Sequence, residues 1–291
     1  MLNEQQLCGV YVPAVTPFRS TGEVDLESYE SYVKTLIGRR IHGIIVGGTT
    51  GESPTVTLDE LKHLMDITRE MPGRRVPMVV GTGTNDTAST VNRSELAGNL
   101  GADAVLVVVP YYSRPSQEGI IEHYRKVAEV GVPVIIYDVP SRTGVGMTIQ
   151  TARTVLEMNN IIGMKDSTGD VRLVSELSRI GSKPVLAGED ASYYAMLCCG
   201  AKGGILASAN VKTERFIEVY EHYMEGQYVQ AKQTFDELIP LIRLLFKESN
   251  PAPLKWLLAK LGLISSDTLR LPMTSISDEL KHELESILEL F

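Results

Sequence analysis

Apolar and polar residues are arranged along this chain in two alternating patterns. Short runs rich in valine and isoleucine are each followed by a longer segment in which apolar residues return every three or four positions. Because the runs are apolar at consecutive positions, they are typical of parallel strands buried on both faces. The longer segments predict helices, several of them opened by a threonine, serine or aspartate cap. The predicted strands are 10–16, 43–47, 76–81, 104–109, 134–137, 161–164, 184–187 and 203–207, and the helices include 25–38, 57–70, 87–99, 117–130 and 148–158.

Eight strand–helix units in succession favour a closed (β/α)8 TIM barrel, in the α/β class, over an open doubly wound sheet. Strand starts recur every ~20–35 residues, which is the length of one such unit. Prolines in the first and third runs count mildly against strands, because proline breaks a ladder hydrogen bond, but strand ends tolerate them. The pattern therefore predicts a barrel that carries its chemistry at the carboxyl ends of the strands.

The strand pattern stops near Gly226, and three helical segments follow, at about 227–247, 251–261 and 277–289. Pro251, Pro253 and Pro272 punctuate them, as prolines do between helices. We therefore expect two parts: a barrel with the active site over residues 1–225, and a small C-terminal helical domain over 226–291.

Composition narrows the class of protein. The 291 residues are 43% apolar and 22% charged, which is ordinary for a soluble globular enzyme. The net charge of −8 is offset by no cluster of lysines and arginines, which argues against nucleic-acid or membrane partners. No signal peptide and no apolar run of roughly 18 residues is visible. Cys8, Cys198 and Cys199 form no disulfide framework, so we expect a cytoplasmic protein.

Lys165 ends the sixth apolar run and is the most informative residue of the chain. Lysine is rare at the end of a buried strand, because an ammonium group resists desolvation. Burial lowers the pKa of a lysine, and a neutral amine is the nucleophile that forms an imine with a carbonyl substrate. Taken alone, the residue is better explained as a strand cap that points to solvent, and only the rest of the sequence favours a reactive lysine.

Other strand ends carry side chains suited to the same chemistry. The second run ends in a small-residue turn whose Thr49 and Thr50 suit a carboxylate, although it also fits a plain glycine turn. The fourth run ends in a tyrosine pair with Tyr112, suited to proton transfer or to interface packing. The fifth ends in Tyr137, followed by Arg142, which offer a phenol and a guanidinium.

The last two strand ends and the histidines add less. Glu189 and Asp190 follow the seventh run, where we favour helix capping over substrate contact. None of the five histidines lies at a strand end, and no His, Asp and Glu set has the spacing of a metal site. Lysine, tyrosine, threonine and arginine without metal ligands indicate imine-forming carbon–carbon chemistry.

Five segments taken together resemble the dihydrodipicolinate synthase / N-acetylneuraminate lyase family of class I, lysine-dependent aldolases. The resemblance covers essentially the whole length, and it is specific because the segments occur together. Arg142 and the segment 269–272 (LRLP) are similar to the synthase subgroup, whose arginine binds the carboxylate of aspartate semialdehyde. The five segments are 48–52 (GTTGE), 110–112 (PYY), 137–140 (YDVP), 163–165 (GMK) and 250–255 (NPAPLK).

The resemblance implies a Schiff-base mechanism that needs no cofactor beyond the lysine imine. Lys165 would form the imine with pyruvate, and Tyr137, Thr49 and Tyr112 would relay protons. The enamine would then add to L-aspartate 4-semialdehyde and give 4-hydroxy-tetrahydrodipicolinate, an intermediate of lysine and diaminopimelate biosynthesis.

The resemblance also implies substrate contacts and an assembly. Thr50, together with the neighbouring threonine, would hold the pyruvate carboxylate, and Arg142 the carboxylate of the semialdehyde. Gly188 and Ile205 would complete the substrate site. Tyr112, often strained in its backbone, would reach the site of a neighbouring subunit, so a homo-oligomer is implied, either a tetramer or a dimer.

Two departures from the family pattern are visible. Asp138 stands where many synthases have asparagine, and its carboxylate could face the imine or point away from it. In lysine-inhibited relatives a glutamate and histidines line the effector pocket, whereas this chain has Ser89, Leu58 and Leu61 there. Loss of a carboxylate that would pair with the ammonium of lysine predicts weak or absent feedback inhibition.

Three alternatives remain at this stage. The first is a related pyruvate-dependent aldolase, such as an N-acetylneuraminate or 2-keto-3-deoxy-sugar acid lyase. The second is a non-catalytic relative that binds pyruvate-like ligands, which the presence of the reactive lysine and the relay groups disfavours. The third, a metal-dependent barrel hydrolase, is disfavoured by the lack of ligands.

Overall fold

The computed structural model describes residues 1–72 and 76–288, and its eight parallel strands follow one another around a closed barrel in chain order. The predicted (β/α)8 architecture is therefore confirmed. Pro13 ends the first strand and Pro77 precedes the third, so neither proline interrupts a ladder. The strands are β1 Gly9–Pro13, β2 Gly43–Val46, β3 Met78–Gly81, β4 Ala104–Val108, β5 Val134–Asp138, β6 Ile161–Asp166, β7 Val185–Ala187 and β8 Gly203–Ile205.

The helices begin where the predicted caps lie. Asp25 accepts a hydrogen bond from the Ser28 amide, and Thr57 forms a reciprocal capping box with Glu60. The predicted last helix extends to residue 289, which lies outside the described residues. The helices are α1 Leu26–Gly38, α2 Leu58–Glu70, α3 Thr87–Asn99, α4 Gln117–Ala128, α5 Pro140–Thr143, α6 Ile149–Leu156, α7 Val171–Arg179, α8 Tyr193–Cys198, α9 Thr213–Met224, α10 Tyr228–Leu245, α11 Ala252–Lys260 and α12 Asp278–Leu288.

The chain divides into two compact units, each built from two stretches of sequence. One comprises Met1–Tyr11 and Pro77–Ile205, and the other Val12–Val76 and Leu206–Phe291. The first contains β3 to β8, and the second contains β2 and the helices α1, α2 and α9 to α12. The separate helical domain expected for 226–291 stays a prediction.

Within the first unit, the register of β5 and β6 sets the ends of these two strands side by side. Tyr137 pairs with Lys165, and Asp138 pairs with Asp166. Every residue of both strands is buried, as their continuous apolar runs predict. Gly163 makes the close approach to β7 possible, because a Cβ there would lie 2.6 Å from the carbonyl oxygen of Pro184.

Within the second unit, the segment after β8 is tied to the last residue of β1 and to α1. The Asn210 amide donates to the carbonyl oxygens of Pro13 and Ala207, at 2.9 and 2.8 Å, and its oxygen accepts from the Tyr32 hydroxyl. Among residues 1–72 and 76–288, no helix is both long enough and apolar enough to cross a membrane.

Candidate active site

Lys165 and Tyr137 form the centre of the candidate site in the first unit. Both side chains lie on the same side of neighbouring strands, and the Lys165 Nζ lies 4.3 Å from the centroid of the Tyr137 ring. Lys165 is 8% exposed, so the strand-cap interpretation with a solvated amine is wrong. A buried amine against a phenol is an arrangement suited to a nucleophile with a proton carrier beside it.

Gly188 lies directly against the aliphatic stem of Lys165. A Cβ at this position would lie 2.6 Å from the Cε of Lys165 and 2.2 Å from the Oγ of Ser167. The Gly188 amide donates to the Asp166 carbonyl at 2.8 Å, which extends the strand ladder past β7. Any larger residue would displace the lysine, so this glycine keeps space for the side chain that is expected to react. Ile205, the last residue of β8, is fully buried.

Arg142 lies on the short helix α5, which follows β5 directly. This helix begins at Pro140 and ends at Thr143, and it is followed by Gly144, whose φ of +75° favours glycine. The Arg142 side chain is exposed, as expected for a group that binds an incoming carboxylate. Its positive charge acts on the nearby Glu189 carboxylate and favours the ionised form.

Glu189 stands at the position where helix capping is expected. It precedes the short 3₁₀ turn Asp190–Ser192, but its side chain forms no capping hydrogen bond there. Burial raises the pKa of Glu189 and Asp190 adds to the rise, whereas the charges of Lys165 and Arg142 lower it. The carboxylate therefore lies within electrostatic reach of both cations, and the capping interpretation is not supported for this residue.

Tyr112 has an unusual backbone for a large side chain. Its φ is +71°, in the left-handed region, and its side chain is 89% exposed. Such a conformation is costly for a residue with a Cβ and is kept where the surroundings require it. The predicted backbone strain is confirmed.

Thr49 and Thr50 lie in a 3₁₀ turn that directly follows β2 in the second unit. Thr50 is buried, and its hydroxyl oxygen accepts a hydrogen bond from the Asn250 amide at 3.1 Å. Because this bond occupies a lone pair of the oxygen, the hydroxyl proton of Thr50 is available to another acceptor. The turn is thus a donor site, as its predicted role in carboxylate binding requires.

Glu52 and Lys255 form a buried ion pair behind this turn, at 2.7 Å. The Lys255 ammonium also donates to the carbonyl oxygens of Thr16 and Thr268, at 2.9 and 2.5 Å, and lies 4.2 Å from the centroid of the Phe18 ring. Burial lowers the pKa of Lys255, and the charge of Glu52 opposes that change. With three donors and three acceptors, this ammonium is held in a structural role.

The roles of Asn250 and Lys255 were missed by the sequence analysis, which used them only as part of a family-like segment. A signal was present, because Lys255 lies in an otherwise apolar stretch of α11. Asn250 lies 200 residues from the threonine that it contacts, and no local pattern encodes such a pair.

A closed (β/α)8 barrel with a buried lysine beside a tyrosine at adjoining strand ends has the fold and the kind of nucleophile that a lyase working through a lysine imine requires. The chain belongs to the dihydrodipicolinate synthetase family, whose model matches residues 6–290.

Relatives match over nearly the whole chain. The 4-hydroxy-tetrahydrodipicolinate synthase 2 of Clostridium acetobutylicum is 37% identical over 96% of this chain and 99% of its own length. The chloride-inhibited dihydrodipicolinate synthase of Acinetobacter baumannii, solved with pyruvate, is 36% identical, with a TM-score of 0.94 over 97% of this chain and 98% of that one. A monomeric dihydrodipicolinate synthase variant has the same TM-score at 35% identity, over 98% of this chain and 97% of that one.

Proposed function

We propose that this enzyme condenses pyruvate with L-aspartate 4-semialdehyde to 4-hydroxy-tetrahydrodipicolinate, with Lys165 as the nucleophile. Family membership supports the reaction, and one observation of the chain itself carries the assignment of the residue. Lys165 is a buried amine that lies against the Tyr137 ring and the Gly188 backbone. The family chemistry uses the lysine imine and needs no metal or other cofactor.

The first step is formation of the imine. The amine of Lys165 attacks the ketone carbon of pyruvate, and proton transfers through the Tyr137 hydroxyl convert the resulting alcohol to a leaving water. The protonated imine withdraws electrons, so the methyl group of pyruvate loses a proton and becomes an enamine. We assign this relay to Tyr137 with Thr49 and Tyr112.

The carboxylates of the two substrates need separate partners. We assign the pyruvate carboxylate to Thr49 and Thr50, because the Thr50 hydroxyl is oriented by Asn250 with its proton free to donate. We assign the semialdehyde carboxylate to Arg142, whose exposed guanidinium offers a planar, bidentate donor pair. Gly188 and Ile205 complete the predicted substrate site.

Carbon–carbon bond formation follows. The enamine carbon attacks the aldehyde carbon of the semialdehyde, whose oxygen takes a proton and becomes the 4-hydroxyl group. The amine of the semialdehyde then attacks the imine carbon and displaces the Lys165 amine, which closes the ring and regenerates the enzyme. A sugar-derived aldehyde would have no such amine, and it remains the alternative substrate.

We also propose that the chain forms a homo-oligomer. The exposed Tyr112 with its strained backbone supports a contact with a second subunit, because a strained, solvated tyrosine gains nothing in an isolated chain. Sedimentation analysis decides between monomer, dimer and tetramer. The cytoplasmic location stays a prediction.

Borohydride trapping with pyruvate tests the central assignment. Reduction should fix one pyruvate-derived adduct on Lys165, which mass spectrometry of the tryptic peptide identifies. Lys255 is the internal control, since its hydrogen-bonded ammonium should stay unmodified in the same sample. An unmodified Lys165 in folded protein at neutral pH would contradict the mechanism, and an adduct without semialdehyde turnover would favour the alternative aldolase.

A further inference from the structure

Two aspartates lie on the reverse side of the strands that carry the reactive pair. Asp138 follows Tyr137 and Asp166 follows Lys165, so the aspartates point away from the side of the strands on which the lysine lies. They pair in register as the last residues of β5 and β6, and their exposures are 0% and 1%. The question left open for Asp138 is answered here, because its carboxylate faces away from the lysine.

Each carboxylate has only one of its two oxygens satisfied. Asp138 Oδ2 accepts from the Met147 amide at 3.0 Å, and Asp166 Oδ1 accepts from the Thr168 amide at 2.9 Å. The remaining oxygens, Asp138 Oδ1 and Asp166 Oδ2, are buried without a hydrogen-bond partner. Within residues 1–72 and 76–288, neither carboxylate forms an ion pair with a lysine, arginine or histidine.

Two uncompensated negative charges at neighbouring buried positions are strongly unfavourable. Side chains paired on one face of adjacent strands lie roughly 5 Å apart at Cβ, and burial removes the water that would screen them. A single proton neutralises one of the two charges and also supplies a hydrogen-bond donor, because a carboxylic acid donates to a neighbouring carboxylate in a short, charge-assisted hydrogen bond. That bond would use the two oxygens that now have no partner.

We propose that Asp138 and Asp166 hold one proton between them, and that this hydrogen bond positions the strand ends bearing Tyr137 and Lys165. These aspartates are the last residues of their strands, and the Ser167 amide donates to the Asp138 carbonyl oxygen at 2.9 Å. A bond between the two side chains would add a second tie at the same strand ends. The positioning role rests on the proposed function, whereas the shared proton does not.

The surrounding groups set the pH at which the proton leaves. Burial, and then the charge of Asp138, raises the pKa of the Tyr124 phenol of α4. Burial raises the pKa of Asp166, with a smaller effect of Asp170, which forms an ion pair with Arg172. Burial, with a smaller effect of Asp166, raises the pKa of Asp138 to about 6. A raised folded-state pKa stabilises the fold most below the unfolded value near 4, and this stabilisation is lost as the pH rises through 6.

The shared proton is tested with Asp138→Asn, which supplies a permanent amide donor. In the difference spectrum at pH 5, the infrared band of protonated carboxyl groups should be stronger in the wild type than in the variant. The melting temperature of the variant, relative to that of the wild type, should rise between pH 4 and 7 and then level off. Over this range the ratio of the two unfolding equilibrium constants should change by up to about a hundredfold. The control Asp59→Asn, at an exposed carboxylate of α2, should show no such trend. No difference in the band together with parallel melting curves would overturn the proposal.

The positioning role has its own readout, the rate of borohydride trapping with pyruvate at pH 5.5. Asp138→Asn should trap within about twofold of wild type, whereas Asp138→Leu, similar in volume but unable to donate, should trap at least tenfold more slowly while still folded by circular dichroism. Equal trapping by both variants would overturn the positioning role. If the wild type itself traps no pyruvate, the proposed function fails, and the infrared and melting data still decide whether the proton is shared.

Discussion

Lys165 and Lys255 are both buried lysines, but their surroundings give the two amines different chemistry. Lys255 donates three hydrogen bonds, one of them to a carboxylate. Within the described part of the chain, the Lys165 amine forms no ion pair and lies against the Tyr137 ring. The Lys165 amine is therefore not held by a carboxylate, as a nucleophilic amine requires.

Replacing Lys255 by methionine should destabilise the fold strongly. The change leaves the buried Glu52 carboxylate without its cation, and breaking a buried pair in this way costs about 3–5 kcal/mol. Urea unfolding measures the difference in the free energy of unfolding. The double variant with Glu52→Gln should recover much of the loss, because the uncompensated charge is gone. A loss below about 1 kcal/mol in the single variant would show that the pair is not the main tie of this region.

Replacing Arg142 by alanine should raise the KM for the semialdehyde by about 10- to 100-fold, the range expected for loss of a charge-assisted hydrogen bond. Trapping of pyruvate on Lys165 should be unchanged, since that carboxylate is assigned to the threonine turn. Arg142→Lys is the matched control, and it should restore only part of the affinity, because lysine keeps the charge but loses the planar fork. An unchanged KM in the alanine variant would contradict the assignment and favour a different aldehyde.

Among the elements, the neighbouring helices α3 and α4 enclose a buried histidine. His123 of α4 shares a hydrogen bond of 2.9 Å between its Nδ1 and the hydroxyl of Thr87, the first residue of α3, while its Nε2 is buried without a partner. Burial lowers the pKa of His123 to about 4, with a smaller opposing effect of Asp86. The fold therefore holds this imidazole neutral, and protonation of the ring disfavours the contact between the helices.

Acid should weaken this contact in a defined pH window. The unfolded pKa is near 6.5 and the folded value is lower, so the stabilisation is complete above 6.5 and is lost as the pH falls through 4. Replacement by glutamine should remove about 2–3 kcal/mol of acid sensitivity between pH 7 and 4.5. Urea unfolding of the wild type and of the glutamine variant at each pH measures this difference. The effect of Asp138 is present in both proteins, so it cancels in the comparison. Equal pH dependence would show that His123 is not held neutral.

Across the whole molecule, the family match extends from residue 6 to residue 290, so it includes both the barrel strands and the C-terminal helices. The net charge of the chain is −8, so an anionic substrate would be attracted only by local positive side chains such as Arg142 near the candidate site. The chain is longer than the strand pattern needs, and its last third supplies Asn250 and Lys255, which hold the turn after β2.

Much of the fold followed from local patterns. Runs of consecutive apolar residues with caps between them predicted eight strands and most helices, because strand burial and helix capping depend on neighbouring residues. Lys165, Tyr137 and the threonine turn were found because the barrel places its chemistry at strand ends. The backbone strain of Tyr112 came from resemblance to the family and from no local pattern.

The sequence alone determined the order of the strands, the class of chemistry and the residues at the strand ends, since each depends on what stands next to what along the chain. Only the tertiary structure decided which partners these residues have. Asn250 contacts Thr50 across 200 positions, Lys255 neutralises Glu52 across 203, and Asp138 lies beside Asp166 because two strands share a register. Such contacts are set by packing of distant segments, and burial then fixes their charge and hydrogen bonding, which no local pattern encodes.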